Sequence, residues 1–97
     1  MMLVVVAYDV STESNAGRKR LRRVAKVCED VGQRVQNSVF ECLVDAAGWT
    51  RVRARLIGEI SEAEDSLRFY FLGDNWKPRV EHVGAKPSYD PQGPLVV

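Results

Sequence analysis

The sequence predicts one α+β domain in which two helices pack on one face of an antiparallel sheet, a ferredoxin-like layout. Three observations predict it. The chain has 97 residues, the usual length of a single domain. Two segments repeat apolar residues at the helical period, and the other apolar segments are rich in β-branched and aromatic residues. The elements run in the order β-α-β-α-β-β, which we assign to the βαββαβ-type sandwich.

The first half of the chain is predicted to hold two strands and one helix. Residues 3–7 form an apolar run without alternation, as in a strand that is covered on both faces. Apolar residues then recur three and four positions apart over 18–31, which predicts an amphipathic helix. Residues 34–44 are predicted to form one long strand, because apolar residues occur on both of its faces.

The second half is predicted to add one helix and two strands. Residues 46–60 carry a single apolar stripe, which predicts the second helix. The acidic segment 62–65 is expected to be a solvated turn. Residues 67–72 are rich in aromatic residues and predict a strand, and 80–83 predict a short strand.

We divide the chain into a ferredoxin-like domain, 1–84, and a proline-rich tail, 85–97. Neither a helix nor a central strand would accept the prolines of the tail. Since the helices cover one sheet face, the other keeps apolar residues such as Val39 or Phe40. We expect this face to pack against a second copy, sheet to sheet, and the short apolar segment 95–97 to form a strand that pairs with the partner subunit.

Composition narrows the cell compartment and the kinds of partner. The apolar start of the chain lacks a basic flank and a cleavage site, and no segment approaches the ~20 apolar residues of a membrane span. We therefore expect a cytoplasmic protein without a membrane partner. Cys28 and Cys42 are interpreted as buried thiols rather than a disulfide. Residues 1–58 carry ten basic and six acidic side chains, whereas 59–97 carry four and seven, a polarity that can orient the chain on a polyanion.

Asp9 is the strongest candidate for a chemically active side chain. It follows a buried strand at the point where the chain opens into a loop, so rigid support is combined with access to solvent. The alternative is that Asp9 only caps local amides in the following turn. One carboxylate is a poor metal site, but a two-fold axis near Asp9 would bring in the same residue of a second copy. The hydroxyl of Tyr8 would either border this site or satisfy a buried hydrogen bond.

The first helix is strongly basic. Its charged residues are too many for the narrow apolar stripe to hide, so they lie on solvated faces. They are either a simple soluble surface or a surface that contacts phosphates. The residues concerned are Arg18, Lys19, Arg20, Arg22, Arg23 and Lys26.

Together these features resemble a known family. The Tyr-Asp-Val end of the first strand, the basic helix and the sequence RVQNSVFEC at 34–42 closely resemble the small CRISPR-associated Cas-two family. The resemblance covers nearly the whole chain, including its size, its element order and its proline-rich tail. The Tyr-Asp strand end is a weak signal alone, and it becomes specific when it is joined to the second motif at this spacing.

The resemblance implies a sheet-to-sheet homodimer in which Asp9 of the two subunits shares Mg²⁺. By the same resemblance, Asp9 and Tyr8 are the candidate catalytic residues, and Arg34 and Phe40 border the site and contact nucleic acid. One or more of Arg18, Arg20 and Arg22 would contact phosphate.

Two functions of different class follow from the resemblance. The first is a Mg²⁺-dependent endonuclease that hydrolyses phosphodiester bonds in single-stranded RNA or duplex DNA. The second is a non-catalytic adaptor that holds duplex DNA and bridges two dimers of the Cas-one integrase in a heterohexameric complex during spacer acquisition. A third hypothesis, which does not depend on the resemblance, is that the protein is a ferredoxin-like regulatory domain or a domain that binds a small molecule.

Overall fold

The computed structural model describes residues 1–84 and shows two helices packed on a four-stranded antiparallel sheet. The strands lie in the order β2-β3-β1-β4, so the first strand is central and the crossovers run through the helices. This is the ferredoxin-like βαββαβ arrangement, and the predicted fold class is confirmed. The elements are β1 Met2–Asp9, α1 Asn15–Glu29, β2 Gly32–Gln36, β3 Val39–Val44, α2 Ala46–Glu59 and β4 Ser66–Gly73.

The core lies between the helices and one face of the sheet. Alternate residues of the two central strands point into it, among them Val4 and Val6 of β1 and Phe40 of β3. Phe40 is fully buried, and so is Leu56 on the apolar stripe of α2. The rings of Phe69 and Phe71 in β4 pack edge-to-face with the ring of Trp49, at centroid distances of 4.8 and 5.7 Å. The other core residues of the helices are Val24, Val27, Cys28 and Val52.

Side-chain caps set the starts of both helices. Ser14 Oγ accepts the amide proton of Gly17 at 3.0 Å, which starts α1 three residues before the predicted position. Asp45 Oδ1 accepts from the amide of Gly48 at 2.6 Å, and α2 begins at the predicted residue. The positions of the two capping residues therefore set where each helix begins after the preceding strand.

The prediction of one long strand over 34–44 is wrong. The chain reverses at Asn37 and Ser38, and β2 and β3 form a hairpin in which Arg34 pairs with Phe40. The register shifts between Arg34 and Gln36, so one extra residue is accommodated beside the turn. Because Phe40 faces the helices, its predicted position on the open face is also wrong, whereas Val39 on that face is half-buried.

Two further predictions concern the end of the chain. Residues 80–83 form no strand, since the described chain continues from a 3₁₀ turn, Lys77–Arg79, into irregular structure. A strand needs an edge to pair with, and the local pattern alone does not supply one. The tail 85–97 and its predicted strand lie outside the described residues.

The prediction of two reduced, buried cysteines is confirmed, since Cys28 and Cys42 are both free and inaccessible. The hydrogen bond with the neighbouring Cys42 thiol and, after it, burial raise the pKa of Cys28, so this thiol stays protonated. Neither helix in the described part of the chain is long and apolar enough to cross a membrane.

Candidate active site at the carboxyl end of the first strand

Asp9 is the last residue of β1, and its pairing partner across the sheet is Ser66 at the start of β4. The side chain is exposed. Within residues 1–84 the Asp9 carboxylate has no hydrogen-bond or ion-pair partner. The predicted combination of rigid support and access to solvent is therefore present, and the oxygens of Asp9 are available to a ligand.

Tyr8 points to the opposite face of the sheet from Asp9, because successive residues of a strand alternate. Its ring is buried and stacks on Phe40 with centroids 6.2 Å apart. The hydroxyl donates to the carbonyl oxygen of Asn37 at 3.4 Å, and the backbone amide of Tyr8 donates to the carbonyl of Ser38 at 3.0 Å. Burial raises the pKa of Tyr8, so the phenol remains a proton donor at neutral pH.

Arg34 lies beside Tyr8 and shares the same acceptor. One terminal nitrogen of Arg34 donates to the carbonyl of Asn37 at 2.7 Å, and the other forms an ion pair with Glu29 at 3.2 Å. The guanidinium carbon lies 4.9 Å from the centre of the Phe40 ring, within cation–π range. The structure thus brings three predicted site residues together around the β2–β3 turn, on the face of the sheet opposite Asp9.

Asp65 is a residue whose importance the sequence analysis missed. It was expected in a solvated acidic turn, but its side chain is fully buried. Its oxygens accept from Arg20 Nε at 2.7 Å and from the backbone amides of Ser11 and Ser61 at 3.0 and 2.8 Å. The Arg20 guanidinium, together with these amides, lowers the pKa of Asp65 to about 2. The contacts to Arg20 and Ser11 lie 45 and 54 residues apart along the chain, so no local pattern reveals them.

The three arginines expected at phosphate differ in their surroundings. Arg18 donates to the carbonyl of Thr12 at 3.0 Å and also contacts Asn15. Arg20 is held by Asp65 and by Glu64 at 3.1 Å, and its side chain is only 16% exposed.

Arg22, by contrast, is exposed on a purely basic part of α1. It lines a shallow depression of about 310 Å³ together with Lys19, Arg23 and Lys26. Positive charge on a concave surface raises the local concentration of an anion such as phosphate. Of the three predicted arginines, Arg22 is therefore the best placed for a polyanion.

The ligand chemistry at Asp9 fits a hard cation only in part. Mg²⁺ prefers carboxylate, water and phosphate oxygens in octahedral geometry. Across residues 1–84, no three side chains of His, Cys, Asp or Glu come together in an arrangement that could hold a metal ion. Within residues 1–84, Asp9 is therefore not part of a complete ligand set, and a second copy, water or a phosphate would have to supply further oxygen ligands.

Comparison with known proteins gives the family. A family model described as CRISPR associated protein Cas2 matches residues 2–80. The chain belongs to this family. The resemblance based on residues 8–10 and 34–42 is thereby confirmed, and both motifs lie inside the matched region.

Individual Cas2 proteins match over nearly their whole length. A protein of Nitratidesulfovibrio vulgaris named CRISPR-associated endoribonuclease Cas2 is 59% identical over 96 residues, covering 99% of this chain and 94% of the relative. A protein of Halalkalibacterium halodurans named CRISPR-associated endonuclease Cas2 is 57% identical, covering 98% of this chain and 99% of the relative. The crystal structure of Streptococcus pyogenes Cas2 at pH 6.5 is 60% identical, with a TM-score of 0.75, and covers 86% of this chain and 100% of that chain.

Proposed function

We propose that this protein serves CRISPR adaptation as a homodimer, in which Asp9 of each subunit contributes to one shared Mg²⁺ site for phosphodiester hydrolysis. The observation that carries the proposal is the exposed Asp9 carboxylate, fixed at the end of a central strand and without a partner in residues 1–84. The family supports it, since relatives carry the names endoribonuclease and endonuclease.

The open face of the sheet supports the homodimer. Val39 and Leu43 on β3 are only half-buried there, and Tyr70 on β4 is 47% exposed. Asp9 lies on this same face, so a two-fold axis that covers the apolar residues would bring two Asp9 side chains toward each other. If both carboxylates bind one Mg²⁺ directly, their nearest oxygens must lie within about 4 Å, twice the Mg–O distance.

Different residues of the chain would have different roles at such a site. Asp9 would hold the ion, which when bound stabilises the negative charge that develops on the phosphate. Arg22 and its basic neighbours would attract and orient the nucleic-acid backbone. Tyr8 and Arg34, predicted as site residues, both hold the carbonyl of Asn37 and so fix the β2–β3 turn against β1. Phe40 supports both of them from the core, by stacking and cation–π contact.

The second candidate is the adaptor without catalysis. It is favoured by the incomplete ligand set at the site, since residues 1–84 contain no group of three His, Cys, Asp or Glu side chains that could hold a metal ion. In that case the dimer would hold duplex DNA on the basic surface of α1 and bridge two dimers of the Cas-one integrase. Single-stranded RNA would be an alternative substrate only for the catalytic form.

One experiment separates the two functions. Wild type, Asp9→Asn and a matched control, Glu62→Gln, are assayed with Mg²⁺ for cleavage of RNA and of duplex DNA, and in parallel for spacer integration with the integrase. Glu62 is also an exposed acid, and its variant removes the same charge at a residue to which the proposal gives no role. The nuclease proposal predicts cleavage in wild type and in Glu62→Gln and none in Asp9→Asn.

The integration assay completes the test. Integration by Asp9→Asn at the wild-type level would show that the adaptor role does not need the metal site. Absence of cleavage in wild type would reject the nuclease, and absence of integration would reject the bridge. A strictly monomeric mass at micromolar concentration would reject the shared site, and with it the dimer on which the nuclease and the adaptor both depend.

A further inference from the structure

Three separate segments meet at the carboxylate of Asp65. Ser11 lies in the loop after β1, Arg20 lies on α1, and Ser61 lies just after α2, and all three donate hydrogen bonds to it. The backbone amide of Asp65 in turn donates to the carbonyl of Ser61 at 2.7 Å. A buried carboxylate with this set of donors is a fixed point in the structure, because moving any one segment would remove a hydrogen bond from a buried charge.

This fixed point lies next to Asp9. Ser11, held through its amide, is two residues after Asp9, and Ser66, which follows Asp65, is the strand partner of Asp9. Gly17 at the start of α1 packs directly against this loop, since a Cβ added there would lie 1.9 Å from the carbonyl oxygen of Ser11. The loop that leaves Asp9 is therefore held between α1 and the segment before β4.

The hydrogen bonds to Asp65 also engage the guanidinium of Arg20. Its Nε and one terminal nitrogen contact Asp65, and that terminal nitrogen also contacts Glu64. A phosphate at this guanidinium would have to compete with two carboxylates that are already bound to it. Arg22, two positions later, is exposed on the basic surface.

We infer that Arg20 and Asp65 are positioning residues that fix the backbone at Asp9, and that Arg20 is not a phosphate contact. The part of the inference that concerns metal affinity rests on the proposed function, whereas the part that concerns the loop and Arg20 stands without it. Groups that orient a metal ligand typically change metal affinity or activity by about 10–100-fold when they are removed.

The test uses the full-length protein and pairs of matched variants. Asp65→Asn and Glu64→Gln each replace one acid beside Arg20 with its amide, but Glu64 is 55% exposed and Asp65 is fully buried. Arg20→Gln and Arg22→Gln likewise replace neighbouring arginines on one helix. Amide hydrogen exchange at Ser11, Mn²⁺ affinity, and the salt dependence of binding to a short labelled DNA duplex are measured for each variant.

The expected results differ for each pair. Asp65→Asn and Arg20→Gln should make the Ser11 amide exchange about 10- to 100-fold faster and weaken Mn²⁺ binding about 10–100-fold, whereas Glu64→Gln should change neither. Arg22→Gln should reduce the log–log salt slope by about 0.9 per lost phosphate contact, whereas Arg20→Gln should leave the slope unchanged. Should Asp65→Asn fail to fold, Arg20→Lys provides the decision, since it keeps the charge and loses the fork-shaped contact.

Other outcomes overturn the inference or separate it from the proposed function. Wild-type Ser11 exchange in folded Asp65→Asn, or in Arg20→Lys, would overturn the positioning role. A reduced salt slope for Arg20→Gln would restore Arg20 as a phosphate contact. If wild type binds no Mn²⁺, the shared metal site fails, and the exchange and salt measurements still decide the role of Arg20 and Asp65.

Discussion

The two faces of the sheet are built differently around the same strand. On the helix-covered face, Tyr8 and Phe40 are buried and every buried polar side-chain atom described in residues 1–84 has a hydrogen-bond partner. On the open face, Asp9 is exposed without a partner and Tyr70 is half exposed. The helix-covered face therefore supplies the packed core that stabilises the chain, whereas the open face keeps a carboxylate that can bind a ligand. Residues predicted together as one site therefore have two kinds of role.

The largest expected effect contrasts one aromatic residue from each face. Phe40→Ala should lower the free energy of unfolding by about 3–5 kcal/mol, because it removes a fully buried ring from the core. Tyr70→Ala, on the open face, should cost under about 1 kcal/mol in dilute protein. Urea unfolding of both variants at low concentration measures this. An equal cost for the two would mean that the open face is closed within a single chain.

The next effect concerns the buried acid beneath the loop of Asp9. Asp65→Asn should cost about 2–3 kcal/mol at neutral pH, since it removes a charged acceptor from three hydrogen bonds. Folding lowers the pKa of Asp65 from 3.8 to about 2, so its stabilisation is complete above about pH 4 and is lost as the pH falls through 2. The stability gap between wild type and Asp65→Asn should therefore narrow in urea unfolding from pH 5 to pH 2.5. A gap that stays constant over that range would contradict the buried ion pair.

Two glycines give a smaller contrast. Gly17→Ala should cost about 1–3 kcal/mol, because the new Cβ would overlap the carbonyl oxygen of Ser11 and push the loop away. Gly58→Ala, on α2 with open space around it, should instead stabilise the protein by about 0.5–1 kcal/mol. Thermal or urea unfolding checks the signs. Stabilisation by Gly17→Ala as well as by Gly58→Ala would show that the loop is not pressed against α1.

The smallest expected effect on stability is at Asp9 itself. Asp9→Asn should change the free energy of unfolding by no more than about 0.5 kcal/mol, since the side chain is exposed and has no partner in residues 1–84. Urea unfolding in the absence of divalent metal measures the effect. A clear loss of stability there would assign Asp9 a structural role and remove the distinction between the two faces.

Local patterns were sufficient for most of the fold. Periodicity located both helices, and the apolar stripe of α2, with Trp49 and Leu56, is buried as predicted. The hairpin at Asn37 and Ser38 was missed because its turn residues are Asn-Ser and not the Asn-Gly that marks a two-residue hairpin. In the structure neither of these two residues has a positive φ. The register shift beside Arg34 also let the apolar pattern continue through the turn as though the strand were straight.

The site was predictable only where one residue and its strand sufficed. Asp9 was found because a carboxylate at the end of an apolar run is visible in the sequence. Asp65 was not, because an acid in a polar turn has the same local pattern whether it is solvated or bound to Arg20 across 45 residues. The opposite orientations of Tyr8 and Asp9 follow from strand alternation, but the residues that meet Tyr8 depend on the hairpin.

The central claim is that two chains share one metal site at Asp9. Calorimetric titration of the wild-type protein with Mg²⁺, at a concentration where its mass is that of a dimer, tests this most directly. We predict one ion per two chains, with binding lost in Asp9→Asn while the dimer persists. One ion per chain, or equal affinity in wild type and Asp9→Asn, would contradict it.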